Sequence, residues 1–291
     1  MAELLTVHDA VARYVADDQV VYLAGFTHLI PFAFGHEIIR QRRRHLTLCR
    51  ATPDLVYDQM IAAGVADRLV FSYAGNPGLG LLQVFRQAVQ RGELEIEEYT
   101  HFELVARLSA GAAGLPFWPL RSLENDLTAR RPRPRVRSPF GDEEVAVVPA
   151  LRPDVTLVHA HCADEDGNVY AWGLLGEVKE AALAAHRILV SVEEIRPAAS
   201  LRRERDHLLI PGFRVQSISV APFGAHPSYV QGVYDRDTAF YTEWDRISRD
   251  PEATRKWLAR FVDAVPDREA YLRLLPPDRL AALKEAAQVD N

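Results

Sequence analysis

DRLVFSYAGNPGLGLLQVFRQAVQRG, residues 67–92, decides the fold. Residues 67–75 form an apolar run ending in glycine, which reads as a buried strand. Residues 80–92 have a helical pattern closed by Gly92. Between the two, Gly75, Asn76, Pro77, Gly78 and Gly80 crowd the handover. A glycine cluster at a strand end means that the backbone must come close to something.

The same alternation runs on both sides. Upstream, Thr6 caps a helix over 6–16, QVVYLAGF (19–26) is a strand and FAFGHEIIRQRRR (32–44) a helix with Pro31 at its start. HLTLCRA (45–51) is a strand, and LVYDQMIAAG (55–64) a helix closed by Gly64. Downstream, LEIEEY (94–99) is a strand and FELVARLSAGAAG (102–114) a helix. Such alternation predicts an α/β fold: an open, mostly parallel sheet flanked by helices. LTARRPRPRVRSPFGDEE (127–144) interrupts it as an exposed excursion, whose arginines either grip a phosphate or form a solvated loop. The alternation resumes with strands at 144–151 and 154–163, a helix over 175–186 and strands at 187–195 and 213–223. From about residue 251 the chain reads as helical. No linker is evident, so 1–291 reads as one domain.

Composition narrows the function. The 291 residues carry a net charge of −6 and a pI near 5.9. That leaves no basic excess for a nucleic-acid backbone. No apolar run reaches the roughly 20 residues of a membrane helix, and the first residues do not read as a secretion signal. Cys49 and Cys162 lack the spacing of a zinc site or a disulfide framework and read as free thiols in a reducing cytoplasm.

The candidate site residues gather at strand ends. Gly25, Phe26 and Thr27 close the strand over 19–26 without a dinucleotide fingerprint or a Walker loop. With Gly75, Asn76, Pro77 and Gly78 they suggest a backbone-lined cleft at the carboxyl edge of the sheet, able to donate hydrogen bonds to an oxyanion. His101 and Glu103 fall at the next strand-to-helix corner. They are either an acid–base pair or ordinary helix-cap chemistry. His159 and His161 share a strand face and read as core or interface histidines, not metal ligands. Asp164, Gly167 and Asn168 form a tight turn, and Asn168 is taken with the substrate-side candidates. Glu193 and Glu194 lie at a strand end where nothing local makes either a nucleophile. The irregular, aromatic segment 221–237 is either functional or an interface, and with Phe240, Tyr241 and Trp244 after it offers an apolar surface for a seam with another subunit.

Five stretches carry a resemblance that covers nearly the whole chain: AGNPGLG (74–80), EIEEYTHFELVARLSAGAAGLPFWPLRS (95–122), VPALRPDVTLVHAHCADEDGNVYAWG (148–173), LAAHRILVSVEEI (183–195) and PFGAHPSYVQGVYDRD (222–237). The chain resembles the alpha subunits of family I CoA-transferases, above all those of the glutaconate CoA-transferase branch. The resemblance implies a homologous beta subunit, in a heterodimer or heterotetramer, with the active site at the seam. It implies that CoA moves from an acyl-CoA to a carboxylic acid through a glutamyl-CoA thioester on the beta subunit, which makes the catalysis covalent. Coenzyme A is then a substrate, and no metal or redox cofactor is expected. No Glu-x-Gly element ends an early strand here, consistent with a nucleophile on the partner. Related chains show Gly-Ser-Asp-Leu where this one has Glu124-Asn125-Asp126-Leu127, which bears on the acyl pocket. Two alternatives remain within the resemblance: one half of an acyl-CoA or ring-opening C–C hydrolase of the same fold, and a structural chain that only completes a partner's cleft. A sugar-phosphate isomerase would want its own lysine, and Lys179, Lys256 and Lys284 are all there are.

Overall fold

A computed structural model describes residues 2–121, 126–201 and 203–289 of the chain; Glu124 and Asn125 therefore lie outside the described residues. The elements run β1 (Glu3–Leu4), α1 (Val7–Tyr14), β2 (Val20–Leu23), α2 (Phe32–Arg40), β3 (Leu46–Cys49), α3 (Leu55–Ala62), β4 (Ala66–Phe71), α4 (Gln83–Arg91), β5 (Glu95–Glu98) and α5 (His101–Ala112). A peripheral part follows, with β6 (Phe117–Leu120), α6 (Asp126–Arg130), β7 (Arg135–Arg137) and β8 (Glu144–Pro149). The chain then returns through β9 (Val155–Ala163), β10 (Val169–Tyr170), α7 (Val178–Ala184), β11 (Arg187–Ile195), β12 (Leu208–Ile210) and β13 (Ser217–Val220). It ends in α8 (Thr238–Ile247), α9 (Pro251–Leu258), α10 (Arg268–Arg273) and α11 (Pro277–Val289).

The alternation does what its periodicity predicts. The main sheet has the order β1-β13-β11-β9-β2-β3-β4-β5, and every neighbouring pair along it is parallel. All nine residues of β9, at the centre, are buried, as a strand covered on both faces requires. Local chemistry sets the ends. The Thr6 hydroxyl accepts from the Asp9 N–H to start α1, and Gly92, in the left-handed region at φ 69°, closes α4.

The strand order reverses between β9 and β2. Strands 2 to 5 run outward on one side, and 9, 11 and 13 on the other. Ligands of open α/β sheets bind outside the carboxyl ends of the strands at such a point.

Three expectations need correction. EVAVVP (144–149) does not rejoin the parallel sheet. It is β8, antiparallel between β6 and β7 in a separate three-stranded sheet. The link from β7 to β8, residues 138–143, is too short for a parallel crossover. The excursion 127–144 is exposed along most of its length but not structureless, since α6 and β7 lie within it. Phe240, Tyr241 and Trp244 are not a subunit seam. They lie on α8, which precedes the expected helical end, and pack into the core with Trp257, Tyr271 and the strand residues Leu23, Leu48 and Leu69. Their apolar area is buried inside this chain, which is the stabilising outcome for large rings.

Candidate active site

At the reversal point, the chain leaving β2 turns on Gly25. Its φ is +104°, and a side chain there would meet the His28 carbonyl at 2.7 Å. Only glycine fits. The Phe26 N–H then folds back onto the His28 carbonyl (3.1 Å), and the Leu29 N–H and Ile30 N–H are held by the Tyr229 carbonyl and the Ser228 hydroxyl. Thr27 has φ 59° and Leu29 φ 55°. A β-branched residue in the left-handed region is strained, and such strain persists where the surroundings impose it. Phe26 and Thr27 are the half-buried tip of an otherwise buried loop. The Phe26 ring seats against Gly176, where a Cβ would lie 2.8 Å from the Phe26 side chain. It stands edge-on to the His101 ring at 6.1 Å.

The ends of β3 and β4 meet beside it. The Ala51 carbonyl accepts from the Ser72 N–H (3.0 Å), the Tyr73 N–H (3.1 Å) and the Ser72 hydroxyl (2.7 Å). With its only proton used there, the Ser72 oxygen can only accept from His101 Nδ1, 3.3 Å away. In that contact His101 Nδ1 is the donor, and Nε2 makes no hydrogen bond among the described residues. The ring is exposed at the first turn of α5.

Glu103 is different. It completes a capping box with Thr100 and forms a two-point ion pair with Arg133 of the excursion (Nε–Oε1 2.6 Å, Nη2–Oε2 3.0 Å). Burial works to raise its pKa. The Arg133 guanidinium and the Thr100 N–H outweigh that and hold the carboxyl below its ordinary value. Arg107 and Arg133 both stack on the Tyr99 ring, at 4.2 and 4.9 Å. Burial, with the hydrogen bond to Glu97, pushes the Tyr99 phenol up to about 12. The excursion is thus fastened to the corner that carries His101.

The glycine stretch forms a closed loop at the end of β4. The Gly75 N–H donates to Pro53 (3.0 Å), the Asn76 N–H to Gly80 (2.8 Å) and the Gly80 N–H back to Asn76 (3.2 Å). Gly78 and Gly80 have φ 76° and 113°. Asn76 is buried, while Pro77 and Gly78 are the exposed tip.

Asn168 stands apart. Its side chain donates to Asp164 Oδ2 (2.9 Å), its N–H donates to Asp164 Oδ1 (2.8 Å), and its Oδ1 accepts from the Gly212 N–H (2.9 Å). That amide is fully engaged in the turn between β9 and β10. Among the described residues, no contact joins it to Phe26, Ser72 or His101. His159 and His161 are core residues, 1% and 2% exposed. The residues that sequence reasoning missed are Ser72 and Arg133. Ser72 could have been read from its place after β4. Arg133 could not, because its partner lies 30 residues away. Among the described residues, no group of three or more His, Cys, Asp or Glu is placed to hold a metal ion.

Comparison with known proteins fits this geometry. The family model described as coenzyme A transferase matches residues 4–221. The A-type subunit of 3-oxoadipate CoA-transferase from Pseudomonas knackmussii is 47% identical, over 92% of this chain and 96% of that one. The crystal structure of glutaconate coenzyme A-transferase from Acidaminococcus fermentans superposes with a TM-score of 0.92 at 30% identity, covering 97% of this chain and 96% of that one. The structure of the decarboxylase AibA/AibB aligns with a TM-score of 0.78 at 31% identity, over 89% and 99% of the two chains. A match of this extent leaves one conclusion: the chain belongs to the coenzyme A transferase family.

Proposed function

We infer that the chain is the alpha-type subunit of a two-part CoA-transferase, working with a homologous beta subunit. The family assignment supports it, and one observation about the site carries the division of labour. Every buried carboxylate of the described residues already has a structural partner: Glu37 with Arg40, Asp54 with Arg50, Asp58 with Trp244, Glu103 with Arg133, Asp164 with Asn168, Glu177 with Tyr22 and Asp237 with His226. A nucleophilic carboxylate must be free to attack. The partner's glutamate supplies it: it attacks the thioester carbonyl, CoA leaves as the thiolate and an acyl–glutamyl anhydride forms. The thiolate then attacks the glutamyl carbonyl of that anhydride, which releases the donor's carboxylate. CoA stays as a glutamyl thioester until the acceptor carboxylate takes it by the same two steps in reverse.

This chain supplies a wall of the cleft. The strained tip at Phe26 and Thr27, the Ser72–His101 pair and the exposed Pro77–Gly78 tip border the substrate path at the strand ends. Glu103 is a positioning residue, since its ion pair and cap fix the corner on which His101 stands. Asn168 fixes a turn. Coenzyme A is a substrate and no resident cofactor takes part. Relatives named for 3-oxoadipate and for glutaconate act, by those names, on dicarboxylic acids. The enzyme works in the cytoplasm, in keeping with two buried free cysteines and, among the described residues, no helix long and apolar enough to cross a membrane. Residues 1–291 act as one unit, because the C-terminal helices share a core with the parallel sheet.

The test is to co-express the chain with its beta subunit, add an acyl-CoA without acceptor, and trap the complex with hydroxylamine or borohydride. The expected result is a glutamyl thioester on the beta subunit, and CoA transfer once an acid is added. Release of free CoA without an acceptor, abolished by Glu103→Ala, would instead support a hydrolase. A beta subunit fully competent by itself would leave this chain a scaffold.

A further inference from the structure

A cavity of about 700 Å³ opens at the opposite edge of the sheet from β4 and β5. It lies at the carboxyl ends of β1 and β13, against α1, α2 and α10. Its size is that of a small-molecule site. The apolar wall includes Leu4 and Val220, the last residues of β1 and β13, with Val7, Pro222 and Leu272. Leu4 is 67% exposed and Val220 50%. Single exposed apolar residues are ordinary, but these two line one cavity, and nothing else in the chain covers them.

The polar wall carries an uneven charge. Ala33, Glu37 and Arg40, on one face of α2, line it together with Arg268 at the start of α10. Glu37 is 2% exposed and Arg268 9%. The Glu37 carboxylate is already shared by Arg40, His8 Nδ1 (2.8 Å) and the Gln41 amide (2.8 Å). Arg268 has no carboxylate partner among the described residues. Its Nε and Nη2 donate to the Phe223 carbonyl (3.2 and 2.7 Å), Nη2 also to the His226 carbonyl (2.6 Å), and Nη1 reaches His36 Nδ1 at 3.4 Å. One of the five N–H donors of a guanidinium is left over. The exposed acids beside Arg268 are engaged elsewhere: Asp267 caps α10 through the Ala270 N–H (2.8 Å), and Glu269 pairs with Arg273. The buried wall thus holds two guanidiniums against one carboxylate. A buried charge without a counter-ion is costly.

Arg268 also links the cavity to the strained loop 25–30. The segment whose Phe223 and His226 carbonyls it grips runs on to Ser228 and Tyr229, which hold the Ile30 and Leu29 N–H groups. The N–H of Ala33, on the cavity wall, donates to the Gly224 carbonyl (2.9 Å). We propose that the cavity binds a carboxylic acid with one charge and an apolar tail, its carboxylate on Arg268 and its tail along Leu4 and Val220, and that this occupancy adjusts the loop 25–30. The single surplus charge matches a monoanion, and a guanidinium edge fits a carboxylate. A phosphate ester, with a charge of about −1.5 to −2, would exceed it. A bound carboxylate draws the guanidinium toward itself and loosens its grip on the two carbonyls, a change passed on to the tip at Phe26 and Thr27. The binding stands on the cavity alone; its effect on transfer rests on the function proposed above.

The assembled complex, free of CoA and acyl-CoA, is titrated with octanoate in a calorimeter. Octanoate should bind saturably. Octanol should bind about 10-fold more weakly or worse, for want of the ionic hydrogen bond, and acetate about 100-fold more weakly, for want of the tail. Arg268 also holds backbone carbonyls, so the variants are placed at the exposed mouth. Val220→Trp fills it and Leu4→Glu sets a like charge beside the ligand. Each should weaken octanoate binding about 10-fold and leave transfer without octanoate unchanged. In the wild type, octanoate should change the kcat of transfer between other acids by about 3-fold, an effect absent from Val220→Trp. No saturable binding, or equal binding to the wild type and both variants, overturns the site. Binding that leaves wild-type transfer untouched overturns the coupling to the loop. A purely competitive effect, with kcat unchanged and alike in wild type and variants, places octanoate in the catalytic cleft and overturns the proposal. A complex that binds octanoate as expected but transfers CoA to no acid overturns the proposed function and leaves the site standing.

Discussion

Glu103 and Asp58 are both buried carboxylates, 4% and 0% exposed, and their environments push them in opposite directions. Glu103, at the cleft corner, meets a cation: Arg133 and the Thr100 N–H outweigh burial and hold its pKa down. Asp58, on α3 in the interior, meets only neutral donors. Oδ1 accepts from the Phe85 N–H (2.8 Å) and Oδ2 from the Trp244 indole N–H (2.9 Å). There burial wins over the hydrogen bonds and pushes the pKa up to about 6. At the corner, charge is matched by charge brought from a distant excursion. In the interior, a carboxylate serves as a bracket joining α3, α4 and α8.

The largest expected effect tests the bracket. Asp58→Ala strands the Trp244 and Phe85 N–H groups inside the core. Each buried unmet donor costs about 1–3 kcal/mol, so chemical denaturation should show a loss of about 3–5 kcal/mol. A loss under about 1 kcal/mol would mean that the three helices are held by apolar packing alone, and the contrast with Glu103 would vanish.

Arg133→Ala comes next. It leaves Glu103 near-buried without its cation, and breaking one side of a buried pair costs about 3 kcal/mol or somewhat more. Glu103→Gln alone keeps an acceptor for the Thr100 cap and should cost less. In the double variant the two losses should not add, since both remove one interaction. Strict additivity in melting experiments would show that the corner is not held by this pair.

The pH dependence sharpens the comparison through its sign. Asp58 has a folded pKa above its unfolded value of 3.8. Its contribution is therefore full below about 3.8 and is lost as pH rises through about 6. Glu103 has a folded pKa below its unfolded value of 4.5. Its contribution is present above 4.5 and is lost on acidification below that. Against Asp58→Asn, the wild type should gain stability as the pH is lowered from 8 to 4, by up to about 3 kcal/mol. Against Glu103→Gln, it should lose its advantage only below pH 4.5. Parallel slopes for the two variants would refute the assignment of opposite environments.

How legible this was depends on distance along the chain. The parallel layers were readable, because each strand-and-helix unit carries its own period, and Gly64, Gly92 and Gly114 mark the ends of α3, α4 and α5. The cap at α5 was readable as well, since Thr100 and Glu103 have the S/T-x-x-E spacing. Arg133 was not readable, since nothing in a proline- and arginine-rich run says which arginine turns back to α5. The small antiparallel sheet was missed because EVAVVP has the composition of a buried strand wherever it pairs. The aromatic run at 240–244 looked like an interface because its partners, Trp257 and Tyr271, arrive later in the chain. The same blindness hid Asp58, whose bracket to Trp244 spans 186 residues.

The smallest expected effect returns to the corner and concerns backbone, not charge. Thr27 at φ 59° holds a conformation that costs an L-residue about 1–2 kcal/mol. Glycine adopts it freely and gives back about 0.5–1 kcal/mol in lost chain entropy. Thr27→Gly should therefore stabilise the chain by about 0.5–1 kcal/mol, a rise of about 1–3 °C in Tm. Transfer should slow at the same time, since the tip beside Phe26 is no longer held in one shape. A lowered Tm would show that the Thr27 side chain makes contacts worth more than its strain, and the loop would then be a structural turn like the one at Asn168. A raised Tm with slower transfer would mark the corner as the part of the molecule where stability has been given up for shape, as the interior around Asp58 has not.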